Sequence, residues 1–516
     1  MQALELVLGL FVAAVLLAAA ARRVGAPYPV FLALGGAGLA FVPGMPAFAL
    51  PPDLVLALFV APVLLDAAFD TSLRDLRDNG LPVATLVVVA VGLTTAAVAW
   101  VAHALVPGLP WAAAVAMGTI VAPPDAVAAS AVLRPLRPPH RLLTILEGES
   151  LLNDASALLV YRLAVGAALA GSFSVEAVLP AFLLGVIGSV IAGPVLGWLM
   201  QRVTRNIEHV PTAIIVQFVG TFGVWLLAER LGLSGVLTTV CFAMTLARIA
   251  PAQIPARIRV PTNAVWATVT FALNIFAFIF IGLQIRPLVA QLGAPEQGRY
   301  VLVASAVLAT VIGVRIVWHM GFNALVRWRD RRHGFHPPRP MLPASVGSGV
   351  VISWAGMRGI VTLASALALP PAFPMRDLIV FVAFSTVLGT LLIQGSTLGM
   401  LMRALNLRDD DPVTQELRLA RERAVAAVLA ALPSGTSPAA DLVRRDVKAR
   451  LIFADETLRA GAPAAAYAQA YGGALRAARA ALFDLRDQGD IGDDAFHALE
   501  NQLDWLELAG PSGTAA

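Results

Sequence analysis

Glu149, Ser150, Asn153 and Asp154 stand together in the stretch GESLLNDASALLVYR, Gly148 to Arg162. On a helix, Asp154 lies one turn from Ser150. Asn153 lies one turn from Glu149, on a face rotated by about 100°. One helix then offers a carboxylate–hydroxyl face beside a carboxylate–amide face. Oxygen donors gathered in this way suit a hard cation. The surrounding run, Leu142 to Leu169, is long enough to cross a bilayer, for which about 20 apolar residues suffice. Asp154 sits roughly a dozen residues from either end of that run, about 18 Å at helical rise. A charge at such depth costs about 2.5–3.5 kcal/mol on insertion scales, so it is expected to face a cavity or a partner and to mark an ion path.

Other charges in apolar runs follow the same logic. Asp125, in IVAPPDAVAAS, comes after Pro123 and Pro124, which remove backbone donors and disrupt the preceding turn. Broken backbone inside a membrane is tolerated where it lines a cavity or is covered by protein. The bland alternative for Asp125 is a local cap at a kink. Asp66, in VAPVLLDAAFD, is deep enough to be either a site residue or an interface charge. Arg315, in VIGVRIVWHM, needs an anionic partner or a snorkelling route. Arg358 is flanked by Gly356 and Gly359, a second weak point in an apolar run. Arg162 and Glu147 lie nearer helix ends, and His319 reads as an interface histidine.

These residues need a membrane scaffold to position them. Of the 516 residues, 58% are hydrophobic and only 14% charged; the mean hydropathy is +0.77. Such a chain reads as a polytopic membrane protein. About thirteen candidate crossings run between Leu4 and Leu401. Alternate loops carry the arginines, among them Arg22, Arg74, Arg134, Arg202, Arg259 and Arg327. The positive-inside rule then predicts the N-terminus outside and the C-terminus in the cytoplasm, which an odd number of crossings requires. The arginines sit in short loops rather than in one patch, so nucleic acid is not an expected partner. The start lacks a basic n-region and reads as a retained first crossing. Cys241, the single cysteine, excludes an intramolecular disulfide.

Beyond about Arg403 the chain becomes charged. Asp411 and Pro412 read as a helix start, Leu432–Asp441 as a break, and Phe496, Leu499, Leu503 and Leu506 as one helical face. Residues 405–516 are therefore expected to form a small helical cytoplasmic domain following a transmembrane domain over 1–404. The Pro-broken run is the fifth crossing and the Gly-rich run with Arg358 the twelfth. These are corresponding places if residues 4–169 and 210–401 are inverted repeats. Paired interrupted segments are a sequence pointer to a transporter's midplane site. Asp125 can offset exposed amide ends at one break, and Arg358 carbonyl ends at the other.

The motifs GESLLNDASAL, PPDAVA, GMRG and TVLGTLLIQGSTL resemble those of bacterial sodium/proton antiporters, in the branch of the cation/proton antiporter superfamily that includes animal sodium/proton exchangers. The resemblance covers roughly Leu4 to Leu405. It implies an all-α homodimer in the cell membrane, each protomer having a dimerisation part and a mobile core with two crossed, unwound helices. By motif, Asp154 would bind the ion and the proton, with Asn153 as its neighbour and Ser150 as a ligand. Asp125 would sit at the unwound crossing, and Asp66 would match an acidic position of the third helix. Glu149 would pair with Arg315, and Arg358 would stabilise the crossing. The metal ligands implied are Asp154, Ser150 and Asp125. The chain departs from the family at Pro124, where many members have Thr; this bears on the choice of Na⁺ over K⁺ or Li⁺. An Asn–Asp pair resembles the electroneutral branch.

The expected function is exchange of a monovalent cation, Na⁺ by resemblance, for H⁺, with no enzyme chemistry and no cofactor beyond the transported ion. Burial favours a neutral carboxyl and a bound cation favours an ionised one, so the two exclude each other at Asp154. Alternating access then couples the fluxes. The alternatives are a K⁺/H⁺ antiporter of the same fold, a tail-gated channel, and a membrane sensor whose tail binds a cytoplasmic ligand.

Overall fold

The computed structural model describes residues 2–24, 27–43, 51–170, 175–290, 294–334 and 342–407, together with 471–478, 480, 481, 484, 503 and 505–507. The described residues are helical, with no strand among them. The chain separates into two compact units, Met1–Asp410 and Asp411–Ala516.

In the first unit, seven helices among the described residues are long and apolar enough to cross a membrane. They include Gly80–Leu105, His140–Ala170, Ile258–Leu283 and Gln297–His333. Shorter apolar helices, such as Tyr28–Ala40, Leu56–Phe69 and Trp111–Val121, pack among them. The first helix is Gln2–Val24. In lipid every backbone group must find its partner within the protein, which is why the chain is helical wherever it meets hydrocarbon.

The sequence breaks become interruptions of structure. Helix Trp111–Val121 stops before the Pro123–Pro124 pair, and a new helix starts at Ala126. Helix Val346–Trp354 stops before Gly356, and the next begins at Ile360. Elsewhere the backbone widens into π-turns at Leu56–Val60, Thr85–Ala90 and Leu391–Gly395; such turns often accompany function.

The helices pack in two neighbourhoods. The His140–Ala170 helix lies against both halves of the first interruption, and the Ala294–His333 helix packs on Val346–Trp354 and Arg376–Thr390. The other neighbourhood joins Tyr28–Ala40 to Ala256–Leu283, and Val175–Thr204 to Gly235–Gln253. The first of these seams is backbone against backbone. A Cβ on Gly36 would lie 2.3 Å from Ile279 O, and one on Gly282 would lie 2.1 Å from Ala33 O.

In the second unit, residues 471–478 are helical, and the Tyr471 hydroxyl donates to Leu506 O at 2.9 Å. Leu475 and Leu503 are buried there with Tyr471 against them. The expected helix start at Asp411–Pro412, the break at Leu432–Asp441, and Phe496 and Leu499 lie outside the described residues.

Candidate functional site

Asp154 sits near the middle of the His140–Ala170 helix and is buried, 7% exposed. It lines a cavity of about 50 Å³ together with Ser150, Asp125, Pro123 and Pro124, room for a small ion with little of its water. Asn274 and Thr362 add an amide and a hydroxyl. Apolar side chains close the rest, with Phe59 and Val60 coming from the first π-turn.

The two interruptions lie against each other and exchange hydrogen bonds. The Asp125 N–H donates to Met357 O at 2.7 Å. Arg358 is 1% exposed, and its guanidinium donates from Nε to Val121 O at 2.9 Å and from Nη2 to Ala122 O at 2.8 Å. It also donates from Nη1 to Gly356 O. The Arg358 backbone N–H donates to Thr390 Oγ1 at 3.0 Å. Arg358 thus serves mainly the carbonyl ends of the other interruption, rather than only its own as its sequence position suggests. A buried cation on helix carbonyl ends is the favourable pole of the peptide dipoles.

Asp125 serves the opposite pole. Its Oδ1 accepts the Val127 N–H at 2.8 Å, capping the Ala126–Leu133 helix. Its Oδ2 lies against Gly359, the residue that opens the Ile360–Leu367 helix; a Cβ there would be 1.8 Å from that oxygen. Asp125 is thus a local helix cap that also lines the cavity of Asp154.

Asn153 is fully buried and donates from Nδ2 to Pro124 O at 3.3 Å. The carbonyl that Pro124 retains is thereby engaged by the amide, and Asn153 Oδ1 has no hydrogen-bond partner among the described residues. Glu149 and Arg315, 1% and 3% exposed, form a two-pronged ion pair. Arg315 Nη1 donates to Glu149 Oε1 at 2.6 Å, and Nη2 to Oε2 at 2.8 Å. Arg315 also donates to Ile352 O. This fork-to-fork geometry is the strong form of a charged pair.

Asp66 is not brought to Asp154. It lines a separate cavity of about 560 Å³ with Arg134, Gln217, Asn263 and Trp266. Asn274 lines both cavities, so they meet at that side chain. Asn274 and Thr362 were missed in the sequence. Asn274 was open to the test applied to Asp154: a polar group in mid-span, in FALNIFAF. The interface reading of His319 is corrected, because the residue is buried and its Nδ1 meets Arg315 O at 2.8 Å. Near the helix ends, Arg162 bridges to Glu229, and Arg134 to Glu147 at 2.9 Å.

A model of the transmembrane part of sodium/hydrogen exchangers matches residues 10–404. The chain belongs to the sodium/hydrogen exchanger family. An uncharacterized Na⁺/H⁺ exchanger of Mycobacterium tuberculosis is 32% identical, across 94% of this chain and 92% of the relative. The low-affinity Na⁺/H⁺ antiporter NhaS1 of Synechocystis is 29% identical, across 79% of this chain and 75% of its own length. The sodium, potassium, lithium and rubidium/H⁺ antiporter of Bacillus subtilis is 29% identical, across 71% of this chain and 56% of its own length. The fold matches that of the sodium proton antiporter MjNhaP1 from Methanocaldococcus jannaschii, with a TM-score of 0.62 at 18% identity. That match covers 78% of this chain and 99% of the archaeal one. As a member of this family the chain is a multi-pass membrane transporter of cations against protons, not an enzyme.

Proposed function

We propose that this exchanger moves one Na⁺ against one H⁺ by competition at Asp154. The observation that carries the reading is the small cavity shared by Asp154, Ser150 and Asp125 at the meeting of two broken helices. Asp125 already caps the Ala126–Leu133 helix, so Asp154 is the carboxylate left to exchange its guest. The neighbouring Asn153 is neutral. One acid that holds either Na⁺ or H⁺ carries the same total charge in both loaded forms, and exchange is then electroneutral. Asp154, Ser150 and Asp125 would hold the cation, with Asn153 placing the Pro124 carbonyl. Arg358 and the Glu149–Arg315 pair keep the crossing in register. The larger cavity with Asp66 would be the aqueous approach, entering beside Arg134 and Arg259; the positive-inside rule makes that side cytoplasmic.

The same reading has thirteen crossings in two inverted repeats, the N-terminus outside, a homodimer, no cofactor, and a tail from residue 405 that regulates rather than transports. A wider alkali-cation range is the second reading. It is favoured by Pro124, which offers no hydroxyl to discriminate ions, and by the Bacillus subtilis relative, whose name spans four cations.

The test is dissipation of a pH gradient in proteoliposomes on adding Na⁺, K⁺ or Li⁺ separately, with membrane potential clamped and unclamped. Equal rates under both regimes are expected, with Na⁺ the most effective. A rate that follows the potential would refute one-for-one exchange, and an equal response to K⁺ would favour the wider range.

A further inference from the structure

One side chain joins the cavity of Asp154 to the larger cavity beside it. The Ala256–Leu283 helix lines the larger cavity with Arg259, Asn263, Trp266, Thr270 and Asn274, and the smaller one with Asn274 and Phe278. The steps are three or four residues throughout, so a single helix face runs from one cavity into the other. Among the described residues, Asn274 alone lines both.

The two polar groups before it on this face are committed. Trp266 Nε1 donates to Gln217 Oε1 at 2.9 Å, and Thr270 Oγ1 donates to Trp266 O at 2.9 Å. The Asn274 amide makes no hydrogen bond or ion pair among the described residues. The residue is only half-buried, and both amide atoms keep accessible surface. With no partner to fix it, the amide can turn its oxygen toward whatever passes between the cavities.

Aromatic rings bracket this amide. Phe271, one turn back, lines the larger cavity, and Phe278, one turn on, lines the smaller. Both rings stand edge-on to Tyr28, with centroids 6.1 and 6.3 Å away. Tyr28 begins the helix whose backbone presses on this one at Gly36 and Gly282, so rings and amide are carried by one rigid pair. A cation moving from about 560 Å³ into about 50 Å³ must leave most of its water behind. An amide oxygen replaces such a water without adding a charge that would trap the ion.

We propose that Asn274 is a cation ligand of the transport path. Its Oδ1 takes the place of one water as the ion passes between the larger cavity and Asp154, and so helps to set the apparent affinity for the cation. The inference rests on the reading of Asp154 as the exchange site.

The test measures Na⁺-driven proton flux in proteoliposomes of the full chain, with thermal unfolding of the same preparations. Asn274→Leu keeps the bulk of the side chain and removes its oxygen. Its apparent KM for Na⁺ is expected to rise about tenfold at a nearly unchanged maximal rate, the mark of lost ion binding. Asn274→Asp retains an oxygen at the same place and should keep KM at or below the wild-type value. Tm should hold in both variants, because no hydrogen bond within the protein is lost; Asn274→Ala replaces the leucine variant should that one fail to fold. An unaltered KM without the amide, a loss confined to maximal rate or Tm, or an equal rise in the aspartate variant would overturn the proposal. Failure of the Asp154 reading looks different: Asp154→Asn would then exchange normally, whatever stands at residue 274.

Discussion

The Asp125 carboxylate occupies the space where a side chain on residue 359 would begin, with Oδ2 1.8 Å from the position of a Gly359 Cβ. Two chain segments, far apart in sequence, thereby meet at one carboxylate, which caps the Ala126–Leu133 helix and lies against Gly359. A methyl group at residue 359 must push the carboxylate away from both the Val127 N–H and the cavity. Gly359→Ala is expected to insert normally and to lose at least about tenfold in exchange rate, corresponding to about 1.4 kcal/mol. Proton flux in proteoliposomes at matched protein density checks this.

Asp154→Asn keeps the shape of the side chain and removes its charge. Exchange is expected to vanish while membrane insertion and thermal stability persist, because Asp125, the other carboxylate in the cavity, is committed to capping a helix. Near-normal flux in that variant would sink the assignment. In the wild type, the apparent KM for Na⁺ should rise as pH falls, since the two guests compete for one site. A KM that stays flat across pH would contradict it.

The Glu149–Arg315 pair is sealed from water on both sides. Losing one partner strands a buried charge, which costs about 3–5 kcal/mol, whereas replacing both with apolar residues of similar volume is often neutral. Glu149→Leu and Arg315→Met should each lower Tm sharply, and the double variant should recover most of the loss. Additive losses in a thermal-unfolding cycle would mean that the pair is not the unit of stability.

Arg162, on the helix that carries Asp154, bridges to Glu229, which ends the helix Val210–Arg230 and also accepts the Gly235 N–H at 3.2 Å. The Arg162 and Glu229 side chains are 45% and 33% exposed, so the pair is worth at most about 1 kcal/mol. Glu229→Gln should therefore shift the balance of the transporter's states by no more than about fivefold, seen as a changed apparent KM with little change in maximal rate. Loss of maximal rate instead would place Glu229 in the ion path.

The membrane character and the two interruptions were legible because their causes are local. Paired prolines before Asp125 and glycines around Arg358 disrupt helices wherever they occur. The mid-helix position of Asp154 was legible from run length alone. Partners across the fold were not. Sequence spacing shows that Arg358 suits carbonyl ends, yet only packing reveals that Val121 and Ala122 supply them. Asp66, as an acid in an apolar run, could be read as a site residue or an interface charge, and only the fold places it in another cavity. His319 resembled an interface residue because burial by neighbouring helices leaves no mark on its own sequence window.

The seam between Tyr28–Ala40 and Ala256–Leu283 has a mechanical corollary. Where carbonyl oxygens press on Cα atoms at Gly36 and Gly282, there is no side chain to flex and no slack to absorb sliding. These two helices can travel only as one rigid plank. Any stroke that carries an ion across must be taken up at looser joints, so a crosslink placed along this seam should leave turnover untouched.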